Sequence, residues 1–185
     1  MAPPLRLFLA AYPPLGVAQT LLARAAQRTL PEHKVVPPEQ VHITLLFLGD
    51  RRAQSVPDIE ASIAAACKGI RPCVIRPRRL ITLPEKGPAR LVASETDIPP
   101  PLLELQKRVS HRLADRKRRE NPFLPHLTLL RFPGSGIDTR MAEDIATSES
   151  DASAFQFELR SVRLMKSTLH PKGPRHELLR EFGLG

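Results

Sequence analysis

The chain has no tryptophan, one tyrosine and seven phenylalanines, so aromatic residues make up only 4% of it and Leu, Val and Ile must fill the core. Its two cysteines, Cys67 and Cys73, are too few and too close for a disulfide framework, and no further Cys or Cys/His cluster completes a zinc site. They read as free thiols in a reducing compartment. No apolar run approaches the roughly 20 residues of a membrane-spanning helix. The apolar N-terminal stretch is interrupted by Arg6 and bracketed by prolines, which does not suit a secretory leader. A cytoplasmic protein without membrane contact is the expectation. Acidic side chains are also scarce, 19 against 28 basic ones, and the net charge of +9 favours a polyanionic partner. At 185 residues the chain suits one domain, 1–185, built as two small lobes sharing a core.

Prolines and glycines divide the chain into alternating elements. "LRLFLAAY" (5–12) reads as a buried strand ended by Pro13-Pro14, and 15–30 as a helix with Leu15, Ala18, Leu22, Ala25 and Ala26 on one face. Residues 31–40, rich in proline, form an irregular approach to the strand "VHITLLFLG". A helix follows from Pro57-Asp58 to Gly69. Strands over 72–84 and 89–95 flank a Gly87-Pro88 connection, and 99–120 is the clearest helix, with Leu102, Leu105, Val109 and Leu113 at helical spacing and a basic end, Arg116 to Arg119. The strand "FLPHLTLLRF", a short helix "TRMAEDIAT", a loop at 148–154, an alternating strand over 155–169, a Pro-Lys-Gly-Pro turn and a last strand complete the order. That order folds as two similar halves, each a sheet with helical cover.

The halves share one pattern. His-x-Thr-Leu-Leu occurs at 42–46 and again at 126–130. Because strand side chains alternate, His42 and Thr44 point together, as do His126 and Thr128, while Ile43, Leu45, Leu127 and Leu129 face the core. Two such strands side by side would present two imidazoles and two hydroxyls to one cleft. Imidazoles titrate near neutrality, so one can act as general base and the other as general acid without a metal or cofactor. The threonine hydroxyls can donate to phosphate oxygens held between them. A single His-x-Thr would read as a structural histidine; two copies at matching places point to a site, for chemistry or for ligand binding alone.

These motifs, with "RLFLAAYPP" at the start and "KSTLHPKGPRHELLREFGL" at the end, resemble the two-histidine (2H) phosphoesterase superfamily, and within it the RNA 2′,3′-cyclic phosphodiesterases also called 2′-5′ RNA ligases. The resemblance implies an α+β bilobal fold, two pseudo-symmetric halves each with an antiparallel sheet covered by helices, and an active cleft between them. It implies hydrolysis of RNA 2′,3′-cyclic phosphate ends, tRNA-derived ends among them, to a 2′-phosphate, with 2′-5′ joining as the reverse reaction. His126 would activate water and His42 protonate the departing O3′. Thr44, Thr128 and Arg131 would bind phosphate, although in a regular strand Arg131 faces away from His126 and reaches the phosphate only if the strand twists, bulges or ends there. Lys166, Ser167 and Lys172 are candidate RNA contacts, and "RPRRL" (76–80) and Arg116 to Arg119 a candidate RNA track. His170 and His176 read as surface histidines, His176 standing where the family often has tyrosine. A monomer is expected. The rival readings are a phosphodiesterase for a small cyclic nucleotide, cyclic ADP-ribose phosphate or 2′-5′ oligoadenylate, and an RNA-end binding module without catalysis.

Overall fold

The computed structural model describes residues 3–27, 30–114, 122–146, 155–170 and 173–185. The chain is α+β. In sequence order the elements are β1 (Leu5–Ala11), α1 (Leu15–Ala26), β2 (Lys34–Val35), β3 (Ile43–Arg51), α2 (Val56–Cys67), β4 (Cys73–Ile75), β5 (Pro77–Leu83), β6 (Leu91–Thr96), α3 (Pro100–Leu113), β7 (His126–Arg131), α4 (Thr139–Ala146), β8 (Phe157–Leu159), β9 (Ser161–Thr168) and β10 (Arg175–Gly183).

Every strand pair described is antiparallel. The main sheet runs β10-β9-β1-β3-β7-β6-β5, with β2 added against β7. It divides into two groups that meet between β3 and β7, where the ladder contains a single residue pair, Ile43 opposite Leu127. These are the residues just after His42 and His126, so the two motifs face each other across an approximate twofold centre. The antiparallel sense sets each histidine beside the other motif's threonine.

One face of the sheet carries the main core. Leu7, Leu9, Ile43, Leu45, Leu80, Leu127, Leu129 and Leu164 are buried there, together with Ala18, Leu21, Leu22 and Ala25 of α1, Ile59 and Ile63 of α2 and Leu102, Leu105 and Val109 of α3. Each full burial of a Leu or Ile stabilises by about 1.5–3 kcal/mol. Helix α1 packs against β7 and α3 against β3, so each reaches across the seam. The start of α2 is favoured by Pro57 in its first turn and by Asp58 near the positive end of its dipole.

Several boundaries differ from the sequence expectation. Helix α1 stops at Ala26, and Leu15, expected on its buried face, is exposed because it opens the helix at the surface straight after Pro13-Pro14. The single strand expected over 72–84 is two, broken at Arg76, and the one over 155–169 is likewise broken at Arg160. The first pieces, β4 and β8, pair with each other in a separate two-stranded ribbon, and the second pieces join the main sheet. The Asp97 carboxylate accepts from the Arg76 backbone N–H at 2.8 Å, and the Arg160 carbonyl accepts from Leu184 N–H at 2.8 Å, so the backbone at both breaks is satisfied outside the ladder. The basic run Arg116 to Arg119 and the loop 148–154 lie outside the described residues.

Candidate active site

The doubled leucines explain how the site residues come to share a face. In β3 the register passes from Leu9 opposite Leu46 to Ala10 opposite Thr44, leaving Leu45 as an extra residue. In β7 it passes from Val92 opposite Leu130 to Ala93 opposite Thr128, leaving Leu129 as the extra one. Each is a β-bulge at the third residue after the motif histidine. A bulge sends two successive side chains toward one face and reverses the alternation beyond it. Leu45 and Leu46 are accordingly 3% and 6% exposed, and Leu129 and Leu130 are both 0% exposed. Leu46 and Leu130, which strict alternation places on the histidine face, are in the core. The fifth residue after each histidine returns to the cleft face: Phe47 in the first half and Arg131 in the second. The Leu129 carbonyl accepts from Val36 N–H at 2.9 Å, so the segment following β2 closes the bulge that turns Arg131.

Both imidazoles are oriented by backbone. His42 Nδ1 lies 2.6 Å from the Gln40 carbonyl, and His126 Nδ1 lies 2.9 Å from the Leu124 carbonyl. A carbonyl only accepts, so Nδ1 carries the proton in each ring and Nε2 is left for chemistry. The same i−2 contact recurs where each motif enters from a proline-containing segment: Pro38–Gln40 forms a 3-10 turn before His42, and Pro125 in an irregular stretch precedes His126.

His42 stands in an aromatic sleeve. Its ring centroid is 5.1 Å from Phe8, 5.4 Å from Tyr12 and 5.3 Å from His176, which meets it edge-on. Phe8, Ala10, Tyr12 and Met165 form a small apolar cluster separate from the main core, on the cleft side of the sheet. Burial lowers the pKa of His42 to about 4; the Gln40 carbonyl opposes this, and His176, Arg131 and His126 lower it further. Burial lowers that of His126 too, against the Leu124 carbonyl, with Arg131 acting in the same direction as burial. Burial and Arg131 also hold His176 below the ordinary histidine value. Arg131 thus acts on all three imidazoles, which places it among them. Burial raises Tyr12 to about 12, with Arg163 opposing, so its hydroxyl keeps its proton.

His42, His126, Thr44, Thr128 and Arg131 are therefore brought to one face at the seam. Ser167 sits opposite His176 in the β9–β10 ladder, on the cleft side with Met165. Lys166 is turned away: it lies opposite Leu7 and Glu177, on the core side of the sheet, with its ammonium 2.8 Å from the Glu177 carboxylate. Lys172 lies outside the described residues. In the "RPRRL" cluster, Arg76 pairs with Asp97 at 3.3 Å and Arg79 with Glu95 at 3.0 Å, which neutralises much of the expected track. His176 is no surface histidine. Its ring packs 4.9 Å from Phe8, and its Nδ1 is buried without a hydrogen-bond partner among the described residues. Among the described residues no three His, Cys, Asp or Glu side chains group as metal ligands.

Residues 13–171 match the model of the 2′-5′ RNA ligase superfamily. The chain belongs to that superfamily. It is 31% identical over 190 residues to an RNA 2′,3′-cyclic phosphodiesterase of Thermus thermophilus, covering 97% of this chain and 90% of the relative. It is 28% identical over 186 residues to an RNA 2′,3′-cyclic phosphodiesterase of Methanocaldococcus jannaschii, covering 96% of this chain and all of the relative. A solved structure of a Thermus thermophilus protein superposes with a TM-score of 0.81 at 26% identity, over 97% of both chains. Escherichia coli LigT complexed with 3′-AMP superposes with a TM-score of 0.77 at 20% identity over 98% of both chains, a likeness of fold.

Proposed function

We propose that the protein is a metal-independent RNA 2′,3′-cyclic phosphodiesterase that needs no cofactor, acts as a monomeric cytoplasmic enzyme with residues 1–185 as one domain, and uses His42 and His126 as its acid and base. The observation that carries this reading is the convergence of two backbone-oriented imidazoles, two threonines and Arg131 on one face of the seam. The names of the relatives in Thermus and Methanocaldococcus support the substrate class.

The resemblance suggests the roles, and the electrostatics of the cleft support them. His42, lowered to about 4 by burial and further by His176, Arg131 and His126, gives up a proton readily once charged and is assigned the acid; His126 is assigned the base. The free cleft holds both neutral at pH 7. A cyclic phosphate entering between them brings a negative charge that favours an imidazolium at His42. His126 Nε2 then takes a proton from water as the water oxygen bonds to phosphorus, the P–O3′ bond breaks, and His42 Nε2 gives its proton to O3′. The product is a 2′-phosphate and a free 3′-hydroxyl; with a 5′-hydroxyl attacking phosphorus in place of water, the same steps in the same direction make a 2′-5′ linkage, and their reversal cleaves it back to the cyclic phosphate. Acid and base each contribute about 10²- to 10⁴-fold. Arg131, a fixed fork of donors, suits two phosphate oxygens, and Thr44 and Thr128 suit one each.

Phe47, 59% exposed on the cleft face, offers a surface on which the terminal base can stack. Ser167 on the cleft side and, from sequence alone, Lys172 are assigned to the RNA strand; Lys166 is not, since its charge is held by Glu177.

The test is incubation of a short RNA ending in a 2′,3′-cyclic phosphate with the purified protein in EDTA, resolving 2′- from 3′-phosphate. A 2′-phosphate formed at an undiminished rate is expected. Formation of 3′-phosphate, loss of activity to the chelator, or an unimpaired His42→Ala variant overturns the reading.

A further inference from the structure

His176, read from the sequence as a surface histidine, is an ionisable neighbour of His42. Its ring meets the His42 ring edge-on at 5.3 Å and an edge of Phe8 at 4.9 Å, so Phe8, Tyr12 and His176 form three walls around one imidazole. Its position follows from the sheet: His176 lies opposite Ser167 on β9, and Met165 on β9 lies opposite Phe8 on β1, so the face that carries Phe8 carries His176. Its buried Nδ1 finds no partner among the described residues, which is costly for a histidine with only a packing role. The charged and titratable groups facing it come from every neighbouring strand. They are His42 ahead of β3, Tyr12 beyond β1 with Arg163 of β9 stacked 5.1 Å over its ring, and Arg131 of β7. Arg163 is itself paired with Glu181 at 3.4 Å, and Lys166 with Glu177 lies on the other face. No carboxylate in this set is free to balance a proton on His176.

We propose that His176 is a positioning residue for His42: its ring closes the sleeve that orients the His42 imidazole, and when His176 itself takes up a proton, the new charge withholds from His42 the proton that the reaction requires. The inference rests on the phosphodiesterase reading for its kinetic form. An imidazole in this wall makes the sleeve neutral above the His176 midpoint and cationic below it. Two adjacent imidazoliums beside Arg131 repel, so the cleft charges His176 at the expense of His42. Acidification then removes activity twice, through His126 becoming unable to accept a proton and through His42 being starved of one. A tyrosine in the same wall would keep the packing and lose the brake, because its hydroxyl does not ionise below neutrality.

The experiment compares wild-type protein with His176→Tyr and His176→Ala. In the pH profile of kcat/KM on an RNA 2′,3′-cyclic phosphate, the wild-type acid limb approaches a slope of two protons. His176→Tyr reduces it to one. His176→Ala, which opens the wall, lowers kcat about tenfold or more across the range. Independently of turnover, the His42 Cε1–H resonance titrates at a higher pH in His176→Tyr than in wild type, by about one unit. Coincident acid limbs, or an unmoved His42 midpoint, overturn the charge coupling; an unchanged kcat in His176→Ala overturns the positioning. If the wild-type protein leaves cyclic phosphate intact, the phosphodiesterase reading fails, and the His42 resonance still decides the coupling.

Discussion

Burial of His42 as a neutral imidazole makes the stability of the fold depend on pH, and the size of the effect can be worked out. Its pKa is about 4 in the fold and about 6.5 in an unfolded chain. Above pH 6.5 neither state carries the proton and the group is neutral in its effect on stability. As the pH falls below 6.5 the unfolded chain gains a proton that the folded cleft refuses, so stability is lost until the folded group also titrates near pH 4. At pH 5 the unfolded group is about 97% charged and the folded one about 10%, which amounts to a loss of about 2 kcal/mol relative to pH 8. With a urea m-value of about 2 kcal/mol/M, the unfolding midpoint falls by about 1 M from this group alone. The assay is urea unfolding at pH 8 and pH 5 for wild type and for His42→Gln, which removes the titration. Other titrating groups act on both proteins and cancel in the double difference, leaving about 1 M to His42. Equal falls in the two proteins would refute a neutral, desolvated His42 and the acid role built on it.

Three further outcomes follow from the site. His126→Ala lowers kcat by about 10²- to 10⁴-fold with KM little changed, measured by steady-state cleavage of the cyclic phosphate, because its loss removes proton transfer and leaves the phosphate contacts. Arg131→Lys, which keeps the charge and loses the fork, raises KM or lowers kcat by about tenfold in the same assay, and an unchanged kcat/KM would remove Arg131 from the phosphate. Leu129→Ala costs about 2–5 kcal/mol in urea unfolding, because the bulged side chain is fully buried, and it lowers activity further by loosening the turn that brings Arg131 to the cleft.

The repeated His-x-Thr was legible in the sequence because its period of two places imidazole and hydroxyl together on any strand. The place of Arg131 was not, since five residues from His126 is an odd step and alternation sends it to the far side. Its signal was present in the second leucine of each motif: an apolar residue where the pattern calls for a cleft-facing one marks a bulge, and Leu46 and Leu130 both mark it. His176 escaped because a lone histidine after Gly173-Pro174 has no partner nearby in sequence; its neighbours come from β1 and the entry to β3, more than a hundred residues away. Its one sequence signal was that it replaces an expected aromatic wall residue. The breaks at Arg76 and Arg160 were hidden because strands of three residues, such as β4 and β8, are too short to show a period. Lys166 misled because charge was read without its strand face, which turns it to Glu177.

The seam between β3 and β7 has a single ladder pair, and helices α1 and α3 each pass over it to the opposite strand. The halves are therefore lashed together by helices that bridge the seam more than by hydrogen bonding between their sheets, like two boards joined by battens. A chain cut between β6 and α3 would leave β3 without the apolar cover of α3 and α1 without β7 beneath it. Neither piece holds a complete core, so the repeat that looks modular in sequence is mechanically inseparable.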